Sequence, residues 1–374
     1  MNKRILSFFI IICIFSITYS GFFAAADAVQ SNLPPTITAQ TAIVADADTG
    51  EIYYQKNMHQ QMYPASITKI LTGILAVEKT NPQDVITIPD DISKGMPSDS
   101  ASIALQGGEM ITVEEALYTM FLASANDSAN ALALQVGGTI PNFVTMMNER
   151  AKELGAVDSH FDNANGLPDS NNVTSAYDMA LITQQAISMP ELMKYFGAIT
   201  YTLPPTNKRT NSEAFITLDK MMKNTVYKYP GMIAGKTGWE TMSGNTLVSV
   251  ASRNGRKLIC VVMKSSGDYW VYSDSIALLN YCFTLPANND CDDYLLKPLP
   301  ITQIAAVQNA PAPTPIAAKV VKVKATPKYD YTYAAPLLLL AVSAVIFSAF
   351  IARYRKKNCA AQSSIRRRTS RTSK

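Results

Sequence analysis

Histidine is scarce in this sequence, which contains only His59 and His160 among its 374 residues. A Ser-His-Asp triad could therefore be built only around one of these two side chains. His160 lies close to Asp162, but a zinc site needs several protein ligands, and no third ligand clusters near this pair. The shortage of histidine argues against triad hydrolases and zinc enzymes. We predict that the protein uses no metal and no other cofactor.

Cysteine offers no metal site either, because the five cysteines have no spacing typical of metal ligands. Cys13 and Cys359 lie in the terminal segments, and Cys260 lies in an apolar strand pattern that predicts a core position. Cys282 and Cys291 are nine positions apart in a segment expected outside the cell, where a disulfide between them could form.

A strongly basic domain is also absent, although the whole chain has a net charge of +4. Nine cations follow residue 352, and Lys3, Arg4 and Asp27 belong to the N-terminal segment. The remaining residues, 29–352, carry 22 basic and 28 acidic side chains. A segment of net negative charge gives no support for nucleic-acid binding. We therefore predict no nucleic-acid partner.

Residues 1–28 are typical of a secretory signal peptide. Two cations near the start precede an apolar core over residues 5–17, and Ala26-Asp27-Ala28 offers a cleavage site with small residues. Ala24-Ala25-Ala26 is the alternative cleavage site, and an uncleaved anchor helix is the alternative to cleavage. Both readings place the bulk of the chain outside the cytoplasm.

Residues 334–352 form a long apolar stretch without a charged side chain. Its length suffices to cross a bilayer core of about 30 Å at about 1.5 Å per residue. Residues 353–374 contain nine basic and no acidic side chains, so the positive-inside rule predicts a cytoplasmic tail. We predict a single C-terminal transmembrane helix, because a buried core helix would not explain the basic residues directly after it. Residues 287–333 are rich in proline, alanine and lysine and are predicted to form an extended stalk.

Residues 29–286 are enough for one large core with mixed helix and strand patterns. Alternation predicts a hairpin of residues 42–45 with 51–55, and Asn254-Gly255 predicts a two-residue turn between two further strands. A last helix is predicted over residues 275–283. Strands at both ends with helices between them indicate an α/β sandwich whose antiparallel sheet joins the two ends of the domain.

Two helix boundaries can be predicted in the middle of this domain. Thr112 and Glu115 form a capping-box pattern before an apolar run, so a helix should begin there. That helix should end near residues 124–126, and residues 129–136 suggest another helix beyond it.

The most informative motif is Ser66-Ile67-Thr68-Lys69. Apolar residues at helical spacing follow it, which predicts that Ser66 opens a buried helix. Positions i and i+3 lie on one face of a helix, so the hydroxyl of Ser66 and the amine of Lys69 should be within hydrogen-bond reach. A serine becomes a nucleophile when a base takes its proton, and a lysine kept neutral by its surroundings can be that base.

Two further motifs follow in order, Ser124-Ala125-Asn126 and Lys236-Thr237-Gly238. An SxxK motif with SxN and KTG is the set found in penicillin-binding proteins and the related serine β-lactamases. Residues 42–50, and residues 165–180 with Asn165-Gly166-Leu167-Pro168-Asp169, strengthen the match. Over about residues 41–283 the chain resembles the low-molecular-mass penicillin-binding proteins that are serine D-alanyl-D-alanine carboxypeptidases. The resemblance implies a β-lactamase/transpeptidase-like sandwich, an antiparallel sheet flanked by helices with an all-helical subregion.

The resemblance also implies catalytic roles. Ser66 would attack the carbonyl of a D-Ala-D-Ala peptide bond, forming an acyl-enzyme and releasing D-alanine. Lys69 would be the base, with its pKa depressed by burial and by a second cation, Lys236. Ser124 would relay the proton to the leaving amine.

Substrate-binding roles follow in the same way. Asn126 would form a hydrogen bond with the substrate amide, and Lys236 with Thr237 would hold the terminal carboxylate. The backbone N–H groups of Ser66 and Trp239 would form the oxyanion hole. Gly238 would let the substrate backbone lie close to the strand.

Two departures from the family pattern concern the binding of the carboxylate. The family commonly has threonine two residues after KTG, but here Glu240 occupies that position and Thr241 follows. Many members carry an arginine just before the last helix, and residues 268–272 contain none. The candidates to compensate are three basic residues near the last strands: Arg253, Arg256 and Lys264.

The leading hypothesis is a membrane-tethered enzyme that trims terminal D-Ala from peptidoglycan stem peptides and is acylated by β-lactam antibiotics. Two alternatives remain open. One is a non-catalytic β-lactam-sensing or wall-binding module, which Glu240 and the missing arginine motivate. The other is a class A-like β-lactamase, which would need a glutamate in an ExxLN-like context between the second and third motifs, and the sequence has none.

Overall fold

The computed structural model describes residues 33–286 and Leu296. Its strands are β1 (Thr41–Asp46), β2 (Ile52–Lys56), β3 (Val85–Thr87), β4 (Met110–Thr112), β5 (Thr200–Leu203), β6 (Glu213–Ile216), β7 (Met232–Glu240), β8 (Gly244–Arg253) and β9 (Arg256–Ser265). Its α-helices are α1 (Lys69–Lys79), α2 (Val113–Leu122), α3 (Asn126–Gly137), α4 (Ile140–Glu153), α5 (Ala176–Ile187), α6 (Pro190–Phe196) and α7 (Asp268–Thr284). In sequence, α1 to α6 lie between the first two strands and the last three strands, and α7 follows β9.

The main sheet is antiparallel and has five strands in the order β2-β1-β9-β8-β7. The first strand lies beside the last one, with Val44 opposite Cys260. This pairing confirms that the sheet joins the two ends of the domain. Strand β7 forms one edge, so its outer side is free to face a substrate. Two small ribbons, β3-β4 and β5-β6, lie outside this sheet.

The turn between β8 and β9 is the predicted two-residue hairpin. Asn254 and Gly255 both have positive φ, at 53° and 82°. A turn of this handedness matches the twist of the flanking strands, and asparagine and glycine are the residues that adopt it most readily.

The sheet separates two apolar cores, because successive side chains of a strand point to opposite faces. Ile43 and Val261 face the core formed with helices α1 to α6. Val44 and Cys260 face the smaller core, which α7 covers. Cys260 is therefore the buried core residue that its sequence context predicts.

Helix boundaries follow local capping. Thr112 and Glu115 form the predicted capping box at the start of α2, with both reciprocal hydrogen bonds present. Helix α3 begins at Asn126, earlier than the predicted 129, and α7 begins at Asp268 rather than near 275. The first turn of α7 contains Tyr269, Trp270 and Val271, residue types that favour strands in isolation, so the sequence pattern places the helix start too late.

Several sequence predictions fall outside the described residues. The signal peptide, the stalk, the transmembrane helix, the basic tail and Cys291 all lie there, whereas Cys282 is a buried free thiol. Among residues 33–286 and Leu296, no helix is long and apolar enough to span a bilayer.

Asp274 connects three parts of the smaller core. Its carboxylate accepts hydrogen bonds from the backbone N–H groups of Thr38 and Ala39 and from the hydroxyl groups of Thr38 and Ser265. The side chain is buried, so these donors lie away from bulk water. Asp274 therefore holds α7, the end of β9 and the segment before β1 together.

We expect the Asp274→Ala variant to lose about 3 kcal/mol of the free energy of unfolding, since several buried donors lose their acceptor. Urea denaturation followed by circular dichroism measures this loss. The matched control is Asp48→Ala, whose carboxylate is half exposed and pairs with Lys257 at the surface. That change should cost less than about 0.5 kcal/mol. Equal losses in the two variants would contradict the role of Asp274.

Candidate active site

The SxxK motif begins in a short 3₁₀ turn, Ala65–Thr68, that leads directly into α1 at Lys69. Ser66 therefore lies in this turn and not in the α-helix that the periodicity predicts. The turn keeps Ser66 and Lys69 on one side because a 3₁₀-helix repeats every three residues. Ala65 has a φ of 52°, a region that costs alanine energy and that neighbouring contacts must maintain.

Lys69 is fully buried and its ammonium nitrogen has three partners. Nζ lies 2.9 Å from Ser66 Oγ, 2.7 Å from Asn126 Oδ1 and 2.6 Å from the backbone oxygen of Asn165. Both carbonyl oxygens can only accept, so they direct two N–H bonds of the lysine away from the serine. In the neutral amine the lone pair of the nitrogen then points to the hydroxyl of Ser66.

The pKa of Lys69 is lowered well below its usual value of 10.5. Burial is the main cause, because it removes water from the charged form, and the positive charge of Lys236 is the second. The structure thus agrees with the expectation that burial and Lys236 depress this pKa. A neutral Lys69 can accept a proton from Ser66.

Ser124 lies between α2 and α3, and its hydroxyl accepts a hydrogen bond from Lys236 Nζ over 2.9 Å. Its φ of 56° is unusual for serine and turns this residue toward the cleft. Asn126, two residues later, begins α3 and contacts Lys69. The SxN motif therefore connects the lysine of SxxK to the lysine of KTG.

Lys236 is a buried residue of the edge strand β7. Besides Ser124, its Nζ donates to the backbone oxygen of Thr237 over 2.8 Å. Burial lowers the pKa of Lys236 to about 7, while the nearby carboxylate of Asp219 opposes the shift.

Gly238 also has a packing role within the protein. A Cβ atom at this position would lie 2.4 Å from Thr246 Oγ1 and 2.9 Å from Ser66 N. The missing side chain lets β7 pack against the turn that carries Ser66. It thereby sets the distance between the nucleophile and the edge strand.

A cleft of about 610 Å³ opens over these groups. Ser66, Ser124, Thr237, Gly238 and Trp239 line it, whereas Lys69, Asn126 and Lys236 are buried residues that are not among its lining. The structure therefore brings all the predicted site residues together, with the two lysines behind the hydroxyl groups that they contact.

The Asn165-Gly166 segment supports the nucleophile, a role that the motif analysis missed. Gly166 has a φ of +83°, and a Cβ atom there would lie 1.9 Å from the backbone oxygen of Ala65. This close approach places the Asn165 carbonyl against Lys69. The sequence signal was the segment's resemblance to the family, but a backbone acceptor leaves no mark on a side-chain pattern.

Two of the three candidates to replace the missing arginine, Arg253 and Arg256, are engaged far from the cleft. Arg253 donates to the Tyr229 hydroxyl, and Arg256 donates to backbone oxygens at the end of α7. Both flank the turn between β8 and β9, which is at the opposite end of β8 from residues 245–248, which pair with residues 236–239. Lys264 does not line the cleft, whereas Lys220, which the sequence analysis overlooked, does.

Glu240 and Thr241 both line the cleft. Burial raises the pKa of Glu240, and the carboxylate of Asp99 acts in the same direction. His160 contacts the carboxylate of Asp162 at 3.1 Å near the surface. Within the part of the chain that the structure describes, no group of three or more His, Cys, Asp or Glu side chains could hold a metal ion.

The sheet, the helices on its face and the serine-lysine centre define a penicillin-binding, transpeptidase-like fold. A crystal structure of a D-alanyl-D-alanine carboxypeptidase from Mycobacterium tuberculosis aligns with a TM-score of 0.63 and 24% identity, over 72% of this chain and 98% of that one. The Streptomyces K15 DD-transpeptidase aligns with a TM-score of 0.63 and 26% identity, over 68% of this chain and all of that one.

Residues 28–267 match the Peptidase_S11 family, described as D-alanyl-D-alanine carboxypeptidase. Since this match covers more than half of the chain, the protein belongs to that family. It is 30% identical over 250 residues to the D-alanyl-D-alanine carboxypeptidase DacF of Bacillus subtilis, and 32% identical over 255 residues to DacA of Haemophilus influenzae. Each alignment covers 66% of this chain and 62% of the relative. The chain thus spans less than two thirds of the length of these two relatives.

We expect the Lys236→Met variant to have a higher pKa at Lys69, because a neighbouring positive charge that disfavours protonation is gone. The pKa should stay below 10.5, since burial remains the larger cause. Nitrogen-detected NMR of labelled lysine side chains measures the titration. Lys228→Met, at an exposed lysine outside the cleft, is the control and should leave it unchanged. A Lys69 titration that is the same in all three proteins would contradict this coupling.

Proposed function

We propose that this protein is a serine D-alanyl-D-alanine carboxypeptidase that removes the terminal D-Ala from peptidoglycan stem peptides. The observation that carries the proposal is the placement of Lys69. Two carbonyl oxygens accept hydrogen bonds from Nζ. The lone pair of the neutral amine then faces Ser66 Oγ, which is 2.9 Å away. The arrangement provides a buried base for a serine nucleophile without a histidine.

Acylation begins when Ser66 Oγ attacks the carbonyl carbon of the last peptide bond and Lys69 takes the hydroxyl proton. The carbonyl oxygen becomes an oxyanion, which the backbone N–H groups of Ser66 and Trp239 stabilise. Each such donor is worth about 3–4 kcal/mol to the transition state. The C–N bond then breaks, and the amine of D-alanine leaves with a proton delivered through Ser124.

Lys236 keeps this proton path in place. Its contact with Ser124 Oγ orients the hydroxyl, and its charge keeps Lys69 neutral. Hydrolysis follows when water attacks the acyl-enzyme carbonyl, gives up a proton to the same base and returns Ser66 to its hydroxyl form. The products are D-alanine and a stem peptide shortened by one residue.

The substrate would lie along the outer edge of β7. The Asn126 oxygen is held by Lys69, so the NH₂ group of this amide is the end that can donate to a substrate carbonyl. Thr237 lines the cleft, where it would contact the leaving residue. A β-lactam antibiotic presents a strained amide with a nearby carboxylate and would acylate Ser66 in the same way.

We expect the Ser66→Ala variant to lose D-alanine release from diacetyl-Lys-D-Ala-D-Ala by at least about 1,000-fold, because no acyl-enzyme can form. Release is measured with a coupled D-amino acid oxidase assay. Ser188→Ala, at an exposed serine outside the cleft, should retain full activity.

The outcomes separate the three candidate functions. A wild-type protein that forms a stable penicillin adduct but releases no D-alanine would be the sensing or wall-binding module. Rapid hydrolysis of the penicillin would instead indicate a β-lactamase. Either result would overturn the carboxypeptidase proposal.

We also propose the arrangement of the full chain at a bacterial membrane. Residues 1–28 would direct export, residues 29–286 would form the catalytic domain outside the cell, and residues 287–333 would be the stalk. Residues 334–352 would cross the membrane, and residues 353–374 would lie in the cytoplasm. The support is the apolar stretch without charge followed by nine basic side chains.

We expect truncation after residue 333 to release the catalytic domain into the medium, whereas the full chain stays in the membrane fraction. The measurement is labelling of both fractions with a fluorescent penicillin after expression in a bacterial host with one membrane. Replacing three basic residues of the tail in the full chain is the control and should leave the protein membrane-bound. A truncated protein that still sediments with membranes would contradict the C-terminal anchor.

A further inference from the structure

The charge of the cleft poses a problem for a substrate that ends in a carboxylate. Among the described residues that line it, Asp99, Glu240 and Asp268 are acidic, and Lys220 is the only lysine or arginine. Lys236 is buried, its pKa is lowered to about 7, and it already donates to Ser124 and Thr237. Lys220 is therefore the one basic side chain among these lining residues that can meet an anionic substrate.

Lys220 belongs to one wall of the cleft, which we call the Lys220 wall. It consists of residues from the segment between β6 and β7 and from the start of α7: Leu218, Lys220, Asp268, Val271 and Tyr272. The Lys220 ammonium pairs with the carboxylate of Asp268. It also lies 5.8 Å from the ring centre of Tyr227 and 5.5 Å from that of Tyr272. These rings favour a cation at this position.

The backbone that carries Lys220 is held firmly. The preceding residue, Asp219, is buried, and its carboxylate accepts a hydrogen bond from the backbone N–H of Met221 over 2.8 Å. Thr225 Oγ1 donates to the backbone oxygen of Lys220 over 2.7 Å. A Cβ atom at position 235 would lie 2.0 Å from Asp219 Oδ2, so only glycine lets this carboxylate lie against β7. The Lys220 wall is thus fixed to the strand that carries the KTG motif.

The partner of Lys220 can be exchanged at little cost. Asp268 is 62% exposed in its side chain, against 35% for Lys220. An ion pair this close to solvent contributes little stability, and water can solvate the Asp268 carboxylate once the lysine has another partner. A substrate carboxylate entering the cleft could take its place.

We propose that Lys220 binds the free carboxylate at the end of the substrate and so determines the preference for peptides with a charged C-terminus. This inference rests on the proposed function. It assigns the task of the missing arginine to a different element, the segment between β6 and β7. Lys220 is a specificity-determining residue here, since it contacts the substrate away from the bond that breaks.

The test uses two thioesters with the same acyl group, benzoyl-D-alanyl thioglycolate and its methyl ester. Both can acylate Ser66, but only the first carries a carboxylate where the leaving D-alanine has one. We expect Lys220→Met to lower kcat/KM for the acid about 10- to 100-fold, mainly through KM, because a charge-assisted hydrogen bond is lost. The methyl ester should change less than about threefold, which also shows that the variant is folded.

Three further variants sharpen this test. Lys220→Arg keeps the charge and should preserve most of the preference for the acid. Lys228→Met removes an exposed lysine of the same segment outside the cleft and should leave both substrates unaffected. Asp268→Asn removes the competing carboxylate and should raise kcat/KM for the acid about two- to fivefold, with no change for the ester.

Two results would overturn the assignment of Lys220. One is an equal loss for both thioesters in Lys220→Met, and the other is no loss for either. A wild-type protein that cleaves neither thioester and releases no D-alanine would instead overturn the proposed function itself. The methyl ester separates these cases because its reaction needs Ser66 and Lys69 but not Lys220.

Discussion

The burial of one amine, that of Lys69, is the constraint on which the rest of the site depends. A lysine without water is stable when it is neutral and its N–H bonds meet acceptors, and two carbonyl oxygens provide these acceptors for Lys69. Its acceptors come from distant parts of the chain, since Asn126 begins α3 and Asn165 precedes α5. Helix α1 therefore cannot shift along its axis without breaking contacts to both.

This constraint also explains the order of the layers around the site. The all-helical region supplies the acceptors of Lys69, and the sheet supplies Lys236 and the free edge of β7. Thr246 Oγ1 donates to the backbone oxygen of Pro64 over 3.0 Å, which ties β8 to the segment just before the nucleophile. The nucleophile thus lies where the helical region meets the sheet, and its geometry depends on how these two regions pack.

Much of this arrangement could be predicted from the sequence, because motif spacing and capping patterns are local. The Ser66–Lys69 pair, the Asn254-Gly255 turn and the Thr112 capping box all follow from short-range rules. What could not be predicted depends on tertiary contacts. The Asn165 carbonyl is a backbone group, Gly238 is needed because β7 meets the nucleophile turn, and Lys220 becomes relevant only because its segment folds against α7. Charge alone suggested Arg253 and Arg256. The Asn254-Gly255 rule places both beside a hairpin turn, but only the pairing of β8 with β7 shows that this turn lies far from the KTG segment.

The pairing of β1 with β9 has a consequence for how the chain folds. Val44 and Cys260 are neighbours in the sheet but are separated by more than 200 positions in the sequence. Contacts of such long range slow folding, because a large loop must close before the central strands can pair. One side of strand β1 therefore stays unpaired until β9, near the end of the domain, has been synthesised. A truncation that removes β9 would therefore leave β1 and β8 without the strand that lies between them.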